Sequence, residues 1–413
     1  MNMMTPNASL VFGDDGTATP YQVYTDQEIY EREQERIYRG KTWSFLALEA
    51  ELPKEHDFKS TFIGDTPVVV TRTPGGYHAW VNRCIHKGAA VCREHRGNAR
   101  KFQCVYHQWL YAPNGDLKGV PFQKGAGQTK GMPEDFDKKE HSLPKLRVET
   151  YKGLIFATFD HGMESLEEYL GPQMRPYIDR IMCKPTTYLG CLRQYAKSNW
   201  KLYFENVKDG YHASLLHLFH NTFNILRVSM SVRSITDERQ GMHSVIMTVK
   251  DNDDDDGSDY KKNNVASFDE NVRLKDPEIL RMRQEYDELS TNHIQGIFPS
   301  LVLQQIHNTL VCRQILPKGP GEFELIFHFF GYEDDDEELR EMRLTQANLV
   351  GPAGYVSMED TEATELVQTA IEPDAKEKSM LLMGQNDPLH GQSLTSEHIL
   401  RSFWKGYQKI MEL

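Results

Sequence analysis

Two short pairs of cysteine and histidine lie between residues 84 and 107. The stretch reads CIHKGAAVCREHRGNARKFQCVYH, in which Cys84 and His86 form a C-x-H pair and Cys104 and His107 form a C-x2-H pair. A zinc finger groups its ligands differently, as C-x2-C followed by H-x3-H. Two thiolates for one iron and two imidazoles for the other are what a Rieske [2Fe–2S] cluster requires. The spacing predicts such a cluster, with a redox-inactive zinc site as the alternative.

A second group of potential metal ligands follows the pattern D-x2-H-x4-H, formed by Asp209, His212 and His217. Residues five apart on a straight helix differ by about 140° around its axis, so the two histidines can share a metal only where the helix ends or is distorted. Gly210 is a weak point there. Two histidines and one carboxylate bind mononuclear Fe(II) and leave positions open for O2 and substrate. The segment GPAGYVSMEDTEATE offers Glu359 and Asp360 as that carboxylate.

The elements that must position these ligands change in character along the chain. Residues 25–40 read as a helix with Thr25 as its N-cap and Glu28 completing a capping box. Short β-rich runs alternate with Gly, Pro and Asn turns over residues 41–160, which is typical of a small all-β domain. We therefore predict an α+β chain with three segments: an N-terminal helical part of the catalytic domain (1–40), the cluster domain (41–160) and the mononuclear iron domain (161–413).

Later elements are predicted from periodicity and turn signals. The helices are expected at residues 198–218, 337–347 and 398–411, and antiparallel strands at 298–316 and 321–332.

The composition excludes several partners. The 413 residues carry a net charge of -13, which argues against binding nucleic acid. No apolar run is long enough for a membrane span, and the N-terminus lacks the features of a signal peptide, so we expect a cytoplasmic protein. Two acidic runs, residues 251–256 and 333–338, are expected to be solvated loops or helix starts.

The chain resembles the large subunits of Rieske aromatic-ring hydroxylating oxygenases over almost its whole length, most closely those of terephthalate dioxygenase and salicylate 5-hydroxylase. The matching stretches are FQCVYHQWLY, NWKLYFENVKDGYHASLLH, FPSLVLQQ and ANLVGPAGYVSMED. The fold that this resemblance implies is a helix-grip catalytic domain, an antiparallel sheet with helices, into which the Rieske domain is inserted.

The resemblance also assigns roles to individual residues. It makes Cys84, His86, Cys104 and His107 the cluster ligands and His212, His217 and Asp360 the iron ligands, because Asp360 holds the second acidic position after GPAG; Glu359 is the fallback. In this family electrons cross a subunit interface in a trimer, and Asp209 matches the aspartate that bridges His212 and a cluster histidine, His107, of the neighbouring subunit. Such a carboxylate orients the imidazoles.

The substrate site is predicted from the same resemblance. Arg313 matches an arginine that binds a substrate carboxylate in the terephthalate enzymes, and guanidinium suits a carboxylate bidentately. A second arginine of those enzymes aligns with Gln392, which favours a monocarboxylate such as salicylate, anthranilate or another substituted benzoate over a dicarboxylate. The remaining predicted pocket walls are Leu216, Phe223, Leu301 and Gln304.

The implied function is the hydroxylation of an aromatic carboxylate with O2, by either mono- or dioxygenation. The chain contains no G-x-G-x-x-G unit, so its electrons would come from NAD(P)H through a separate reductase or ferredoxin. A small β subunit in an α3β3 hexamer is expected, with α3 as the alternative. Two further alternatives are a terephthalate-type dicarboxylate dioxygenase and a Rieske electron-transfer protein, although the latter needs only about one ordinary domain.

Overall fold

The chain is divided into two compact units. A computed structural model describes residues 10–249 and 257–413, so the acidic run at 251–256 lies outside the described residues. One unit comprises residues 38–169, and the other combines residues 1–37 with 170–413. In the sequence, the smaller unit is therefore inserted into the larger one. The insertion had been predicted at residues 41–160.

The smaller unit is a β domain. Its seven-stranded sheet has the order β1-β12-β11-β4-β3-β2-β5, with a three-stranded sheet β6-β7-β8 and a hairpin β9-β10 beside it in the chain. The strands are β1 Ser44–Leu48, β2 Asp57–Ile63, β3 Thr66–Thr73, β4 Gly76–Val81, β5 Arg96–Asn98, β6 Phe102–Gln103, β7 Leu110–Tyr111, β8 Leu117–Gly119, β9 Gly125–Ala126, β10 Thr129–Lys130, β11 Lys145–Tyr151 and β12 Leu154–Thr158.

The core of the β domain is aromatic and reaches the predicted cluster ligands. Phe102 packs edge-on against Phe58 and Trp80, at ring-centroid distances of 5.2 Å and 5.1 Å. The same buried cluster includes both cysteines of the two Cys/His pairs. The loops that carry these pairs are thus anchored on a rigid base.

The larger unit is organised around an antiparallel seven-stranded sheet with the order β13-β19-β18-β17-β16-β15-β14. Its strands are β13 Thr186–Ala196, β14 Ser231–Thr236, β15 Ser244–Val249, β16 Ser290–Ile297, β17 Leu301–Ile306, β18 Thr309–Gly319 and β19 Glu322–Tyr332. Both β17 and β18 are buried over almost their whole length, because they lie in the middle of the sheet. The predicted α+β fold, with a β domain inserted into a catalytic domain of helices and antiparallel sheet, is confirmed.

The α-helices are α1 Gln22–Thr25, α2 Gln27–Glu33, α3 Leu166–Ile181, α4 Trp200–Asn206, α5 Gly210–Leu216, α6 Leu218–Thr222, α7 Ser258–Lys262, α8 Glu337–Val350, α9 Tyr355–Ile371 and α10 His398–Met411, and a π-helical turn follows α2 at Gln34–Tyr38. Among the described residues, no helix combines the length and apolar character that crossing a membrane requires.

Two helix predictions are wrong in detail. The N-cap of α2 is Asp26 rather than Thr25, since the Asp26 carboxylate accepts hydrogen bonds from the backbone N–H groups of Glu28 and Ile29. The single helix predicted over residues 198–218 is divided into α4 and α5, and the predicted range ends at the first residue of α6. Asp209 ends the continuity by capping α5 with its side chain.

Candidate metal centres

The break between α5 and α6 brings the two histidines together. His212 lies in the first turn of α5, and His217 follows the end of this helix with extended backbone angles, φ −87° and ψ 98°. The ring centroids of His212 and His217 are 5.4 Å apart. The helix end therefore removes the angular mismatch that a continuous helix would impose on residues five apart.

A carboxylate from helix α9 completes the group. Asp360 Oδ1 lies 3.4 Å from His212 Nε2 and 3.1 Å from His217 Nε2. Glu359 Oε2 lies 2.7 Å from Nδ1 of His217, the other nitrogen of that ring. The Asp360 oxygen and the two Nε2 atoms therefore converge on one position, which a metal ion could occupy. Glu359 contacts the opposite side of the His217 ring, where it can fix the orientation and tautomer of that histidine.

These three side chains fit a mononuclear Fe(II) ion. One ligand atom from each of His212, His217 and Asp360 lies within 4.8 Å of the others, and His217 and Asp360 are buried. Two imidazoles and one carboxylate are the donor set of mononuclear non-haem Fe(II). Burial opposes ionisation of Asp360, but the two histidines outweigh it and hold the pKa of Asp360 well below its ordinary value. The carboxylate is therefore charged and suited to a cation.

An asparagine that the sequence analysis missed lies at the same point. The Asn206 side-chain N–H2 group lies 3.1 Å from Asp360 Oδ1, to which it donates, and 3.2 Å from His212 Nε2. Its amide hydrogens thus face the ligand atoms that a cation would bind. The only signal in the sequence is its position three residues before Asp209, at the end of α4.

Asp209 lies behind the predicted iron ligands, beside the far nitrogen of His212. Its Oδ2 is 3.5 Å from His212 Nδ1, while Oδ1 accepts a hydrogen bond from the Tyr211 backbone N–H at 2.9 Å. Burial lowers the pKa of His212, but Asp209 and Asp360 together raise it to about 10. The side chain of Asp209 is 21% exposed, so this carboxylate remains accessible from outside the chain.

A cavity opens beside the three predicted iron ligands. It contains about 420 Å³ of space not filled by protein atoms, including its mouth. Its walls are mostly apolar and include Val207, Ala213, Leu226, Ile246, Ile294, Val356 and Leu394; the polar residues in the lining, besides the iron ligands, include Asn206, Asp209, His220, Asn292, Gln304 and Arg313.

Only some of the predicted substrate residues line this cavity. Arg313 and Gln304 line it. Gln392 is exposed and is absent from the lining, and so are Leu216, Phe223 and Leu301. Gln304 and Leu301 are three residues apart on β17, so their side chains point to opposite faces of the sheet. His220, which the sequence analysis did not single out, does line the cavity.

The two Cys/His pairs of the β domain are held by loops with the same backbone pattern. Cys84 N–H donates to Ala89 at 2.8 Å, and Cys104 N–H donates to Trp109 at 2.9 Å. Each cysteine carbonyl accepts from the residue four positions later, and both of those residues have positive φ, +76° at Gly88 and +61° at Gln108. The two loops therefore form equivalent turns although their histidines differ in spacing.

The side chains of these loops are arranged as two pairs. The His86 and His107 rings lie 4.4 Å apart, and His86 stacks on Trp109 at 4.9 Å. Both cysteines are buried, whereas His86 is exposed and His107 is half-buried. Across the described chain, the four do not converge on a single-ion site as His212, His217 and Asp360 do. Thiolates inside and imidazoles outside fit a two-iron cluster better than one zinc ion.

A hydrogen bond supports the inner side of this site. Tyr111 Oη lies 3.3 Å from Cys84 Sγ. Burial, followed by the contact with Cys84, raises the pKa of Tyr111, so the phenol keeps its proton. A protonated phenol donates to a thiolate, and such bonds tune the potential of an iron–sulfur centre. Cys92, in contrast, is held by Ser60 and the carbonyl of Glu94 and does not belong to either pair.

Comparisons with known proteins agree with both centres. Residues 42–147 match the model of the Rieske [2Fe-2S] domain, and residues 175–412 match that of the ring hydroxylating alpha subunit (catalytic domain). The chain is 61% identical over 399 residues to the anthranilate 1,2-dioxygenase large subunit of Burkholderia cepacia, covering 96% of this chain and 94% of the relative.

Two further comparisons extend the likeness. The alpha 2 subunit of the terephthalate 1,2-dioxygenase terminal oxygenase component of Comamonas sp. is 43% identical, covering 97% of this chain and 96% of the relative. The solved structure of naphthalene 1,2-dioxygenase from Rhodococcus sp. superposes with a TM-score of 0.77 at 23% identity, covering 95% of this chain and 94% of that one, which shows the fold. The chain therefore belongs to the family of ring-hydroxylating oxygenase alpha subunits, with a Rieske [2Fe–2S] cluster and a mononuclear iron that uses O2.

Proposed function

We propose that this oxygenase hydroxylates an aromatic monocarboxylate of the anthranilate, salicylate or substituted benzoate type. The observation that carries the proposal is Arg313, a buried cation in the wall of the cavity beside the predicted iron ligands. The relatives named for anthranilate and terephthalate, and a salicylate 5-hydroxylase of Ralstonia sp. at 37% identity, support a carboxylate substrate.

The contacts of Arg313 leave its charge without an anionic partner, although the guanidinium lies over the Phe327 ring, 5.7 Å from the ring centroid. The side chain is 1% exposed, and Nη1 donates to Tyr203 Oη at 2.6 Å, while Nε has no hydrogen-bond acceptor. Among the described residues, none places a carboxylate within ion-pair distance of this guanidinium. A buried cation without an anion is unfavourable. A substrate carboxylate would compensate this charge and use the fork of N–H donors.

A dicarboxylate of the terephthalate type is the second candidate, favoured by the 43% identity to the terephthalate enzyme. The cavity lining contains one arginine and no lysine. Gln392, at the position where a second arginine is expected, is exposed and outside this lining. A second carboxylate would therefore meet no second cation, which supports the monocarboxylate.

The two metal centres would have separate sets of ligands. Cys84, Cys104, His86 and His107 would hold the cluster, and His212, His217 and Asp360 the iron, which together supply electrons and O2 activation. Asn206 and Glu359 would orient these ligands, and the apolar cavity walls would exclude water from the ring to be hydroxylated.

The partners follow from the lack of a nucleotide-binding motif. We propose that electrons arrive from NAD(P)H through a reductase, a ferredoxin or both. We also propose an α3β3 assembly, with α3 as the alternative, in which Asp209 of one subunit bridges to His107 of the neighbouring copy.

The test compares Arg313→Met with Arg313→Lys in steady-state turnover of anthranilate, salicylate and benzoate. Truncating one partner of a buried charge pair costs about 2–5 kcal/mol, so kcat/KM should fall roughly 30-fold or more for Arg313→Met and less for Arg313→Lys. The neutral analogue aniline should lose far less. Arg233→Met, in which an exposed arginine of the same sheet is replaced, is the control. Equal losses for charged and neutral substrates would contradict the proposal.

A further inference from the structure

Besides Arg313 Nε and His212 Nδ1, three buried polar atoms around the cavity have no hydrogen-bond partner, and each of the three can accept a hydrogen bond. They are His220 Nε2, Asn292 Oδ1 and Gln304 Oε1. The three residues line the cavity and are only 3%, 4% and 3% exposed. A buried acceptor that lacks a donor costs about 1–3 kcal/mol, so such atoms indicate a missing donor.

The contact of His220 Nδ1 determines whether the other ring nitrogen, Nε2, donates or accepts a hydrogen bond. His220 Nδ1 lies 3.1 Å from the Ala213 carbonyl oxygen. A carbonyl can only accept, so Nδ1 carries the proton and Nε2 of the neutral ring presents a lone pair. Asn292 and Gln304 differ in this respect, because a side-chain amide can turn over and present either its oxygen or its N–H2 group. His220 is therefore the acceptor whose role is defined.

His220 is also held close to the iron ligands without belonging to them. Its ring packs edge-on against His217, with ring centroids 4.8 Å apart. The three converging ligand atoms of the described chain are those of His212, His217 and Asp360, and His220 is not among them. A group bound to Nε2 of His220 would thus be next to the reacting part of the substrate.

We propose that His220 Nε2 accepts a hydrogen bond from a donor substituent, an amino or hydroxyl group, on the ring carbon next to the substrate carboxylate. The inference rests on the proposed function, in which Arg313 binds that carboxylate. The cavity then presents one cation for the carboxylate and one fixed acceptor for its ortho neighbour. Benzoates with an ortho N–H or O–H satisfy both, whereas an ortho methyl group leaves Nε2 unpaired.

The first test needs no variant. Equilibrium binding to the anaerobic, iron-loaded wild-type protein is measured by calorimetry for anthranilate, salicylate, benzoate and 2-methylbenzoate, the last of which matches anthranilate in shape but has no donor. Anthranilate should bind about tenfold or more tightly than 2-methylbenzoate. Equal affinities would overturn the inference, because a water molecule would then serve Nε2 as well as the substrate does.

The second test assigns the effect to His220. In His220→Leu, anthranilate binding should weaken about tenfold or more while 2-methylbenzoate binding is unchanged or stronger, so that the preference disappears. His293→Leu, in which a buried histidine outside the cavity lining is replaced, should keep the preference. A preference that survives in His220→Leu would overturn the inference. If this variant does not hold iron, the wild-type series decides.

The two proposals fail in different ways. If the wild-type protein binds no benzoate, or if Arg313→Met leaves benzoate binding unchanged, the proposed function is wrong and the inference falls with it. If carboxylate binding depends on Arg313 while anthranilate and 2-methylbenzoate bind equally, the proposed function stands and only the role of His220 is rejected.

Discussion

Replacing Asp360 should remove the mononuclear iron while leaving the Rieske cluster in place. Asp360 Oδ1 is the only carboxylate oxygen of the three converging ligands, and the residue is 3% exposed. Removing one partner of a buried charge pair costs about 3–5 kcal/mol, which corresponds to roughly two to four orders of magnitude in a dissociation constant. We therefore expect Asp360→Ala to bind Fe(II) about 10²- to 10⁴-fold more weakly and to lose hydroxylation.

Glu359 provides the matched comparison one residue earlier. Its Oε2 lies 2.7 Å from Nδ1 of His217 and not at the position where the three predicted ligand atoms converge. Glu359→Ala should weaken Fe(II) binding about 10- to 100-fold, and Glu359→Gln less, because its amide oxygen still accepts from Nδ1–H. The assay is competition with an Fe(II) chelator, with the visible spectrum as a check on the cluster. A Glu359→Ala variant that loses iron as completely as Asp360→Ala would refute this assignment.

Three further predictions test other parts of the molecule. Cys104→Ser should abolish the visible absorption of the cluster, and a spectrum like that of the wild type would contradict the ligand assignment. Asp209→Asn retains the helix-capping oxygen but not the charge, so iron and sulfide contents should be unchanged while turnover falls about 10- to 100-fold; loss of iron would contradict a role in electron transfer. Burial raises the pKa of Glu205 from 4.5 to about 7. Between these pH values the folded protein holds a proton that the unfolded chain releases. The free energy of unfolding should therefore fall by about 3 kcal/mol as pH rises from 4.5 through 7. The neutral Glu205→Gln should lack this loss, with a higher Tm than wild type at pH 8 and a similar one near pH 4.5; a parallel pH dependence would show that Glu205 is not its source.

The candidate metal ligands could be found from the sequence because their chemistry is encoded locally. Each Cys/His pair lies within one turn, and the two histidines predicted to bind iron are five residues apart. Helix geometry alone required a break between His212 and His217, and the structure has that break at His217. The N-cap of α2 could not be predicted in this way, because the adjacent residues Thr25 and Asp26 are both good N-caps.

The contacts that complete the site were not predictable from patterns, because they join distant segments. Asp360 is separated from the histidines by more than 140 residues, and spacing could not distinguish it from Glu359. Asn206 and His220 carry no motif, and their positions in the cavity lining arise from how α4 and α6 pack. The predicted wall at Leu301 is wrong because the alternation of a strand, not its hydrophobicity, decides which side chain faces the substrate.

One chain holds both a Rieske cluster and a mononuclear iron. The most direct measurement is the iron and acid-labile sulfide content of anaerobically purified protein reconstituted with Fe(II), combined with its EPR spectrum after reduction by dithionite. We predict about three irons and two sulfides per chain and a Rieske spectrum, because the four Cys/His ligands would hold two irons and the group of His212, His217 and Asp360 would hold a third. Zinc in place of iron, or two irons per chain after reconstitution, would contradict it.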